Sequence, residues 1–130
     1  MESDKLTEKV IGAAIRVHKA LGPGLLESAY QKCLEYELNQ SGLSVECEKT
    51  LPVKYGTVQI NVGYRLDMII ENMLILENKT VERLLPIHEA QLLTYLKMTG
   101  CTVGLIINWN VPVLKDGIKR MINTKPRQQP

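Results

Sequence analysis

The first 42 residues carry a helical pattern of apolar positions that is broken once. Apolar residues recur every three or four positions from Leu6 to Leu21, which predicts an amphipathic helix capped by Ser3 or Asp4. This helix should end at the LGPG segment, because Gly22 tolerates a left-handed backbone and Pro23 cannot continue a helix. A second helix is predicted over residues 25–42. Its apolar side consists of Leu26, Tyr30, Cys33, Leu34 and Leu38.

The pattern after residue 42 is that of β-strands. The segments LSVECEKTLPVKY, VQINVGYRLDMII and MLILENKTV are rich in β-branched residues and partly alternate, with turn residues such as Gly56 and Asn72 between them. They predict a three-stranded meander. The chain then continues with a helix over residues 86–100, a buried strand over residues 102–108 and an Asp116-Gly117 turn before a short strand or helix.

The segment RLDMIIENMLILENKT, residues 65–80, places charged residues inside an aliphatic hairpin. If its turn centres on Asn72, Asp67 and Glu77 lie opposite each other, since each is five residues from the turn. Lys79 then shares their face, because strand side chains alternate with period two. A shift of the pairing by one residue would separate the two carboxylates.

Two neighbouring carboxylates repel each other and raise a pKa unless a cation lies between them. A hard divalent ion such as Mg²⁺ suits this arrangement, because it takes oxygen ligands and keeps positions for water and phosphate. Lys79 could then hold an attacking water or neutralise charge on a phosphate. An ion pair of Lys79 with Asp67 or Glu77 that only closes the hairpin accounts for the same spacing.

Two helices contribute further candidate residues. Glu27 and Tyr30 share a face of the second helix, although a glutamate in a first helical turn also fits a favourable interaction with the helix dipole. Gln91 and Tyr95 lie one turn apart on the third helix, with His88 on the same side. A histidine on a helix can act as a base or be packed and hydrogen-bonded.

Composition and charge restrict the class of protein only mildly. The 130 residues fit one domain, predicted over residues 1–130 with a frayed tail from about residue 124. A net charge of +2 permits a nucleic-acid partner without requiring one. Three widely spaced cysteines and the charged N-terminal segment, without a signal peptide or an apolar run of membrane-spanning length, favour a cytoplasmic protein with no membrane contact.

Four motifs occur in the order GLLESAY, YRLD, LENK and HEAQLLTYL. Their order and spacing resemble those of the GxxExxY proteins, a group within the PD-(D/E)XK nuclease superfamily. The resemblance extends from about residue 11 to residue 123 and includes VHKALGPG and LKDGIKRMIN. It implies a PD-(D/E)XK core, that is, a mixed sheet of about four strands flanked by helices.

The resemblance also implies roles for individual residues. Asp67 matches the strand aspartate of the superfamily, and Glu77 with Lys79 matches its E-x-K motif, which bind metal and assist the attacking water in active members. Glu27 matches the first-helix glutamate of the RecB-like nucleases, which completes the acidic cluster. The backbone carbonyl of Asn78 corresponds to a further metal ligand. Asn78 itself departs from the pattern, since an apolar residue is expected between Glu77 and Lys79.

The third helix matches the Q-x-x-x-Y motif of the same branch with Gln91 and Tyr95, which contact the active centre or nucleic acid there. Tyr30 shares a helix face with Glu27, and His88 with Gln91, so these two side chains are also expected to contact substrate. The implied activity is a nuclease dependent on Mg²⁺ or Mn²⁺ that hydrolyses phosphodiester bonds in DNA. DNA rather than RNA is the expected nucleic-acid partner, although the sequence does not decide between the two. A nuclease-like binding module without activity, or a homodimer active only as an assembly, remains an alternative.

Overall fold

Two helices form the N-terminal part of this computed structural model, which describes residues 1–124 and, for Val62, only the backbone. Helix α1 spans Ser3–Leu21, and helix α2 spans Glu27–Gln40. The predicted caps of α1 are wrong, because the preceding residue is Glu2 and no side chain caps the helix. Gly22 ends α1 with φ 72° and donates its N–H to the His18 carbonyl. The predicted frayed tail lies almost wholly outside the described residues.

The apolar side of α2 is narrower than its sequence pattern indicates. Tyr30, Leu34 and Leu38, each four residues apart, are fully buried. Leu26 precedes the helix and is 77% exposed, and Cys33 is also exposed. The predicted burial of Leu26 and Cys33 is therefore wrong, because only the i, i+4 stripe of α2 rests on the rest of the molecule.

The strands that follow, numbered in chain order, form a five-stranded mixed sheet with strand order β1-β2-β3-β4-β5. Its pairings are antiparallel except between β3 and β4, which run parallel and are connected by helix α3. This arrangement confirms the predicted fold class, with one strand more than the four expected. The elements are β1 (Val45–Tyr55), β2 (Val58–Ile70), β3 (Leu74–Lys79), α3 (Pro86–Thr99), β4 (Val103–Asn108) and β5 (Ile118–Ile122).

The extra strand arises from the segment that the sequence left undecided between strand and helix. A short 3₁₀ helix, Leu114–Gly117, replaces the predicted hairpin-like turn, and β5 follows it and pairs with β4. None of the helices between residues 1 and 124 has the length and apolar character that crossing a membrane requires.

The sheet separates two hydrophobic cores. On one face, α1 and α2 pack against Leu74, Leu76 and their neighbours in β2 and β4. On the other face, α3 packs against Ile75 and Ile106. Strand β3 is buried on both faces up to Asn78, so a charged side chain near its end lies in a largely desolvated setting.

A local distortion lies where β1 and β2 cross from one core to the other. Cys47 contacts the α1–α2 core, whereas Leu51 contacts the α3 core, although a regular strand would place both on one face. Glu48, between them, has φ 56°, a conformation rarely adopted by a residue other than glycine. Glu48 stands opposite Asp67, at the one position omitted from the ladder between Cys47–Met68 and Lys49–Leu66.

Candidate active site

The hairpin of β2 and β3 brings two carboxylates together. Met68 pairs with Leu76 and Ile70 with Leu74, which confirms the predicted register. Beyond Met68–Leu76, side chains replace the backbone ladder. The Asp67 N–H donates to Glu77 Oε2 at 2.9 Å, and the Asn78 N–H donates to Asp67 Oδ2 at 2.8 Å. Each carboxylate is therefore held by the backbone of the opposite strand.

Burial makes this pair of carboxylates reluctant to carry two charges. Glu77 is only 4% exposed, and burial, followed by repulsion from Asp67, raises its pKa to about 8. The pKa of Asp67 is also raised by burial, against the lowering effects of the Asn78 N–H and the Lys79 ammonium. The backbone hydrogen bonds thus offset only part of the cost of burying the two carboxylates. A bound cation would offset the rest, so the pair is suited to bind one.

Lys79 ends β3 beside the two carboxylates without forming an ion pair with them. Within residues 1–124, no Lys79–carboxylate contact reaches the 4.0 Å limit of a salt bridge, whereas five such pairs form elsewhere. Its positive charge nonetheless lowers the pKa values of Glu27, Asp67 and Glu77. The direct ion pair that would close the hairpin is therefore not formed, and the ammonium stays available.

Glu27 joins the cluster from helix α2. It is the first residue of α2. Burial, and next the charge of Asp67, raises its pKa, whereas the Lys79 ammonium and the Thr80 N–H, directly after β3, lower its pKa. The position at a helix N-terminus is favourable for a carboxylate in itself. The helix-dipole interpretation is therefore compatible with an electrostatic influence of Asp67 on Glu27, and a role of Glu27 as a metal ligand stays a prediction.

A cleft of about 200 Å³ opens beside Glu27 and Asp67 and contains a carboxylate that the sequence did not reveal. This is Glu48, which forms an ion pair with Arg65 Nε at 3.1 Å and accepts a hydrogen bond from Gln31 Nε2 at 3.2 Å. Its negative charge also raises the pKa of Asp67. The sequence does not predict the place of Glu48 in the cleft. That place depends on a left-handed backbone, a conformation that glutamate rarely adopts.

The side chain of Asn78 has a complete set of partners in the α1–α2 core, which explains the departure from an apolar residue. It is fully buried, its Nδ2 donates to Gln31 Oε1 at 3.0 Å, and its Oδ1 accepts from Trp109 Nε1 at 2.9 Å. Trp109 is also fully buried. This polar contact anchors β3 between Glu77 and Lys79, the two residues that point to the opposite face.

Tyr30 supports Trp109 from the other side. The two rings stack with centroids 4.8 Å apart, and the Tyr30 hydroxyl donates to the Gly22 carbonyl at 2.5 Å and accepts from the Leu25 N–H at 3.1 Å. The ring nitrogen of His18 lies 3.2 Å from the Trp109 carbonyl, so the packed interpretation applies to this histidine. The predicted substrate contact of Tyr30 disagrees with this position, because a fully buried ring cannot touch a substrate.

Helix α3 contributes one side chain to the surroundings of the carboxylates. Tyr95 is 3% exposed, and burial together with the charges of Glu77 and Asp67 raises its pKa to about 12. Gln91 lies one turn earlier and is half-buried. His88 accepts from the Leu85 N–H at 3.0 Å through Nδ1, so it caps the helix at the end distant from Tyr95.

One family model matches this chain, that of the PD-(D/E)XK nuclease superfamily, over residues 4–121. The chain belongs to the PD-(D/E)XK nuclease superfamily. That membership points to nuclease chemistry and to nucleic acid as the partner. No curated protein and no solved structure matches the chain.

The donor set of this PD-(D/E)XK domain fits a hard cation in chemistry. Asp67 and Glu77 offer carboxylate oxygens, each with one oxygen outside the two backbone hydrogen bonds, and their mutual repulsion would be relieved by a positive ion. One or two protein carboxylates suffice for Mg²⁺, which completes its shell with water and phosphate. A full ligand set of three or more acidic, histidine or cysteine side chains is not assembled within residues 1–124.

In the absence of metal, the stability of the domain is expected to fall as the pH rises from about 5 to 8. The folded state raises the pKa of Glu77 from 4.5 to about 8, so it retains a proton that the unfolded chain has already released. The contribution of Glu77 to the free energy of unfolding is therefore fully present below the lower pKa and is lost as the pH rises to the higher one, by on the order of 4 kcal/mol. Urea unfolding in EDTA across this range measures it.

Glu77→Gln is the matched variant for this experiment, because the amide oxygen can still accept from the Asp67 N–H while the ionisable group is removed. Its stability should change clearly less between the two pH values. Equal pH dependence in the wild type and in Glu77→Gln would show that Glu77 does not titrate in this range.

Proposed function

We propose that this protein is a nuclease of the GxxExxY group that hydrolyses phosphodiester bonds in DNA with the help of Mg²⁺ or Mn²⁺. The observation that carries the proposal is that the Glu77 carboxylate accepts from the Asp67 N–H and the Asp67 carboxylate from the Asn78 N–H. Beside them lies Lys79, which forms no ion pair within residues 1–124. A purely structural hairpin has no evident use for a buried and a half-buried carboxylate side by side, since their charges cost stability. The motif order of the sequence supports the assignment to the group.

In this proposal Asp67, Glu77, Glu27 and the backbone carbonyl of Asn78 hold the cation. The cation supplies positive charge at the scissile phosphate and makes a neighbouring water more acidic. The fixed backbone bonds of Asp67 and Glu77 keep one oxygen of each in place, so little reorganisation is required on binding.

The remaining residues act on the substrate. Within residues 1–124 no carboxylate forms an ion pair with Lys79. Its positive charge can therefore stabilise charge that develops on the phosphate or orient the attacking water. Gln91, which is half-buried, orients the substrate from helix α3, whereas Tyr95 is only 3% exposed and contacts the active centre beside Glu77 and Asp67. His88 is left with one ring nitrogen, since the other serves the helix cap. We further propose that the substrate is DNA, that residues 1–130 form a single domain and that the protein is cytoplasmic.

A nuclease-like binding module without activity is the second candidate, and one observation favours it. Asp67 and Glu77 already bond to the backbone, and no three side chains of the described residues are placed as a ligand set. A domain that has lost its metal could keep such bonds as a structural clasp. Metal binding separates the two candidates.

Thermal unfolding with and without Mn²⁺ tests the proposal. A metal that binds only the folded state should stabilise it by about 2.7 kcal/mol at a concentration a hundredfold above the dissociation constant. Asp67→Asn should abolish this stabilisation, whereas Glu8→Gln removes the same charge from an exposed position on α1 and should keep it. A wild-type protein whose melting temperature ignores Mn²⁺ and Mg²⁺ would support the inactive module instead.

A further inference from the structure

The hairpin of β1 and β2 extends well beyond the rest of the sheet. Strand β3 pairs with β2 only from Met68 to Ile70, whereas the pairing of β1 with β2 continues to Tyr55 and Val58. We call residues 49–66 the hairpin arm. At about 3.3 Å per residue the arm reaches roughly 30 Å past Asp67. An arm of this length beside the carboxylate cluster can contact a substrate far from the point of cleavage.

The charge of the arm is one-sided. Its 18 residues include Lys49, Lys54 and Arg65 but no aspartate or glutamate, in a chain that has 14 acidic residues among 130. Arg65 and Lys49 contact Glu48 and Glu46 at the base of the arm. Lys54, farther out, takes part in no ion pair within residues 1–124. The outer arm is therefore suited to an anionic partner.

A groove of about 370 Å³ lies between the arm and the C-terminal end of α3. Val53, Lys54 and Tyr64 line it from the arm, and Lys97 and Met98 from α3. Both lysines are exposed, and none of the described residues that line the groove is acidic. Lys97, like Lys54, has no ion pair among the described residues. We call this surface the arm groove.

Tyr64 connects the arm groove with the candidate active site. Its ring is 39% exposed and packs edge-to-face on Tyr95, with centroids 5.5 Å apart. Tyr95 in turn lies near enough to Glu77 and Asp67 for their charges to raise its pKa. A strand that leaves the carboxylate cluster on the α3 side therefore meets Tyr64 and then the two lysines.

We propose that the arm groove binds a single-stranded stretch of the nucleic acid that the acidic cluster cleaves, with a base against Tyr64 and phosphates at Lys54 and Lys97. A positive groove with an aromatic ring is the common way to hold single strands. An unpaired base is required, because a base inside a duplex is already stacked on its neighbours. The inference rests on the proposed nuclease function for the identity of its ligand.

Fluorescence anisotropy in EDTA tests binding without cleavage. The probe is a fluorescein-labelled oligothymidine of about 15 nucleotides. Tyr64→Ala should weaken its binding about 5- to 150-fold, and Tyr64→Phe, which keeps the ring, should bind like the wild type. Lys54→Gln with Lys97→Gln should weaken binding and reduce the slope of log affinity against log salt by about 1.4.

Two matched controls lie far from the groove. Tyr36→Ala removes another exposed tyrosine, and Lys5→Gln with Lys9→Gln removes two exposed lysines of α1. Both should bind like the wild type, and melting temperatures report whether each variant is folded. Wild-type affinity in folded Tyr64→Ala and Lys54→Gln/Lys97→Gln, or no binding by the wild type, overturns the proposal. Binding of a blunt duplex as tight and as dependent on Tyr64 overturns it as well.

An oligouridine of the same length distinguishes RNA from DNA as the preferred strand. A cleavage assay on the same preparations separates the groove from the nuclease. If the groove variants lose binding but the wild type cleaves no substrate, the proposal for the arm groove stands and the proposed nuclease function is rejected. If the wild type and the groove variants cleave single strands equally in the presence of metal, the proposed nuclease function stands and the proposal for the arm groove is rejected.

Discussion

Asp67→Asn is expected to reduce metal-dependent cleavage of DNA by roughly a thousandfold or more while the protein stays folded. The amide has the shape of the carboxylate, and its oxygen can still accept from the Asn78 N–H. What it removes is one of the two negative charges that make the hairpin attractive to a cation. The measurement is the initial rate of cleavage of a labelled oligonucleotide in Mg²⁺, together with the melting temperature.

The control for this variant is Glu8→Gln, which changes the net charge of the protein equally. Glu8 lies exposed on α1, so the control should cut at the wild-type rate. A folded Asp67→Asn protein that also cuts at the wild-type rate would remove Asp67 from the catalytic set. Because the substitution also relieves repulsion with Glu77, the metal-free variant should be at least as stable as the wild type.

Trp109→Ala is expected to destabilise the fold by about 3–5 kcal/mol, the largest stability effect of any substitution considered for this domain. The side chain is fully buried, stacks on Tyr30 and donates to the Asn78 amide oxygen. Its removal leaves a cavity in the α1–α2 core and an unpaired acceptor on β3. Urea unfolding monitored by circular dichroism measures the loss, and Tyr36→Ala, at an exposed ring, should cost little.

A double-mutant cycle separates the hydrogen bond from the cavity. Trp109→Phe and Asn78→Leu each break the 2.9 Å contact and leave a buried polar group without its partner, which should cost about 1–3 kcal/mol in each case. The combined variant has apolar groups on both sides and should cost less than the sum of the two. Strict additivity would show that the Asn78–Trp109 contact contributes nothing to stability.

The hairpin was predictable because its local chemistry specifies it. Glu71 and Asn72 both adopt a left-handed backbone in the turn, which asparagine tolerates, and the aliphatic residues on either side fix the register. The proximity of Asp67, Glu77 and Lys79 follows from that register alone. The association of Glu27 with them depended on the family resemblance, since α2 is separated from β3 by two strands in the sequence.

The sequence pattern did not predict which distant segments contact each other. The bond between Asn78 and Trp109 joins residues 31 positions apart, and nothing in either neighbourhood marks the pair. The place of Glu48 depends on a backbone distortion. Tyr30 was assigned to substrate because it shares a helix face with Glu27, but the break at Gly22 closes over its hydroxyl and buries it.

Cleavage by the wild-type protein is the most direct test of the proposed nuclease. Single-stranded and duplex DNA are incubated with purified protein in Mg²⁺, in Mn²⁺ and in EDTA, with Asp67→Asn as the blank. The account predicts products with either metal, none in EDTA and almost none with the variant. Equal amounts of product from the wild type and from Asp67→Asn, or no cleavage of either substrate with either metal, would contradict it.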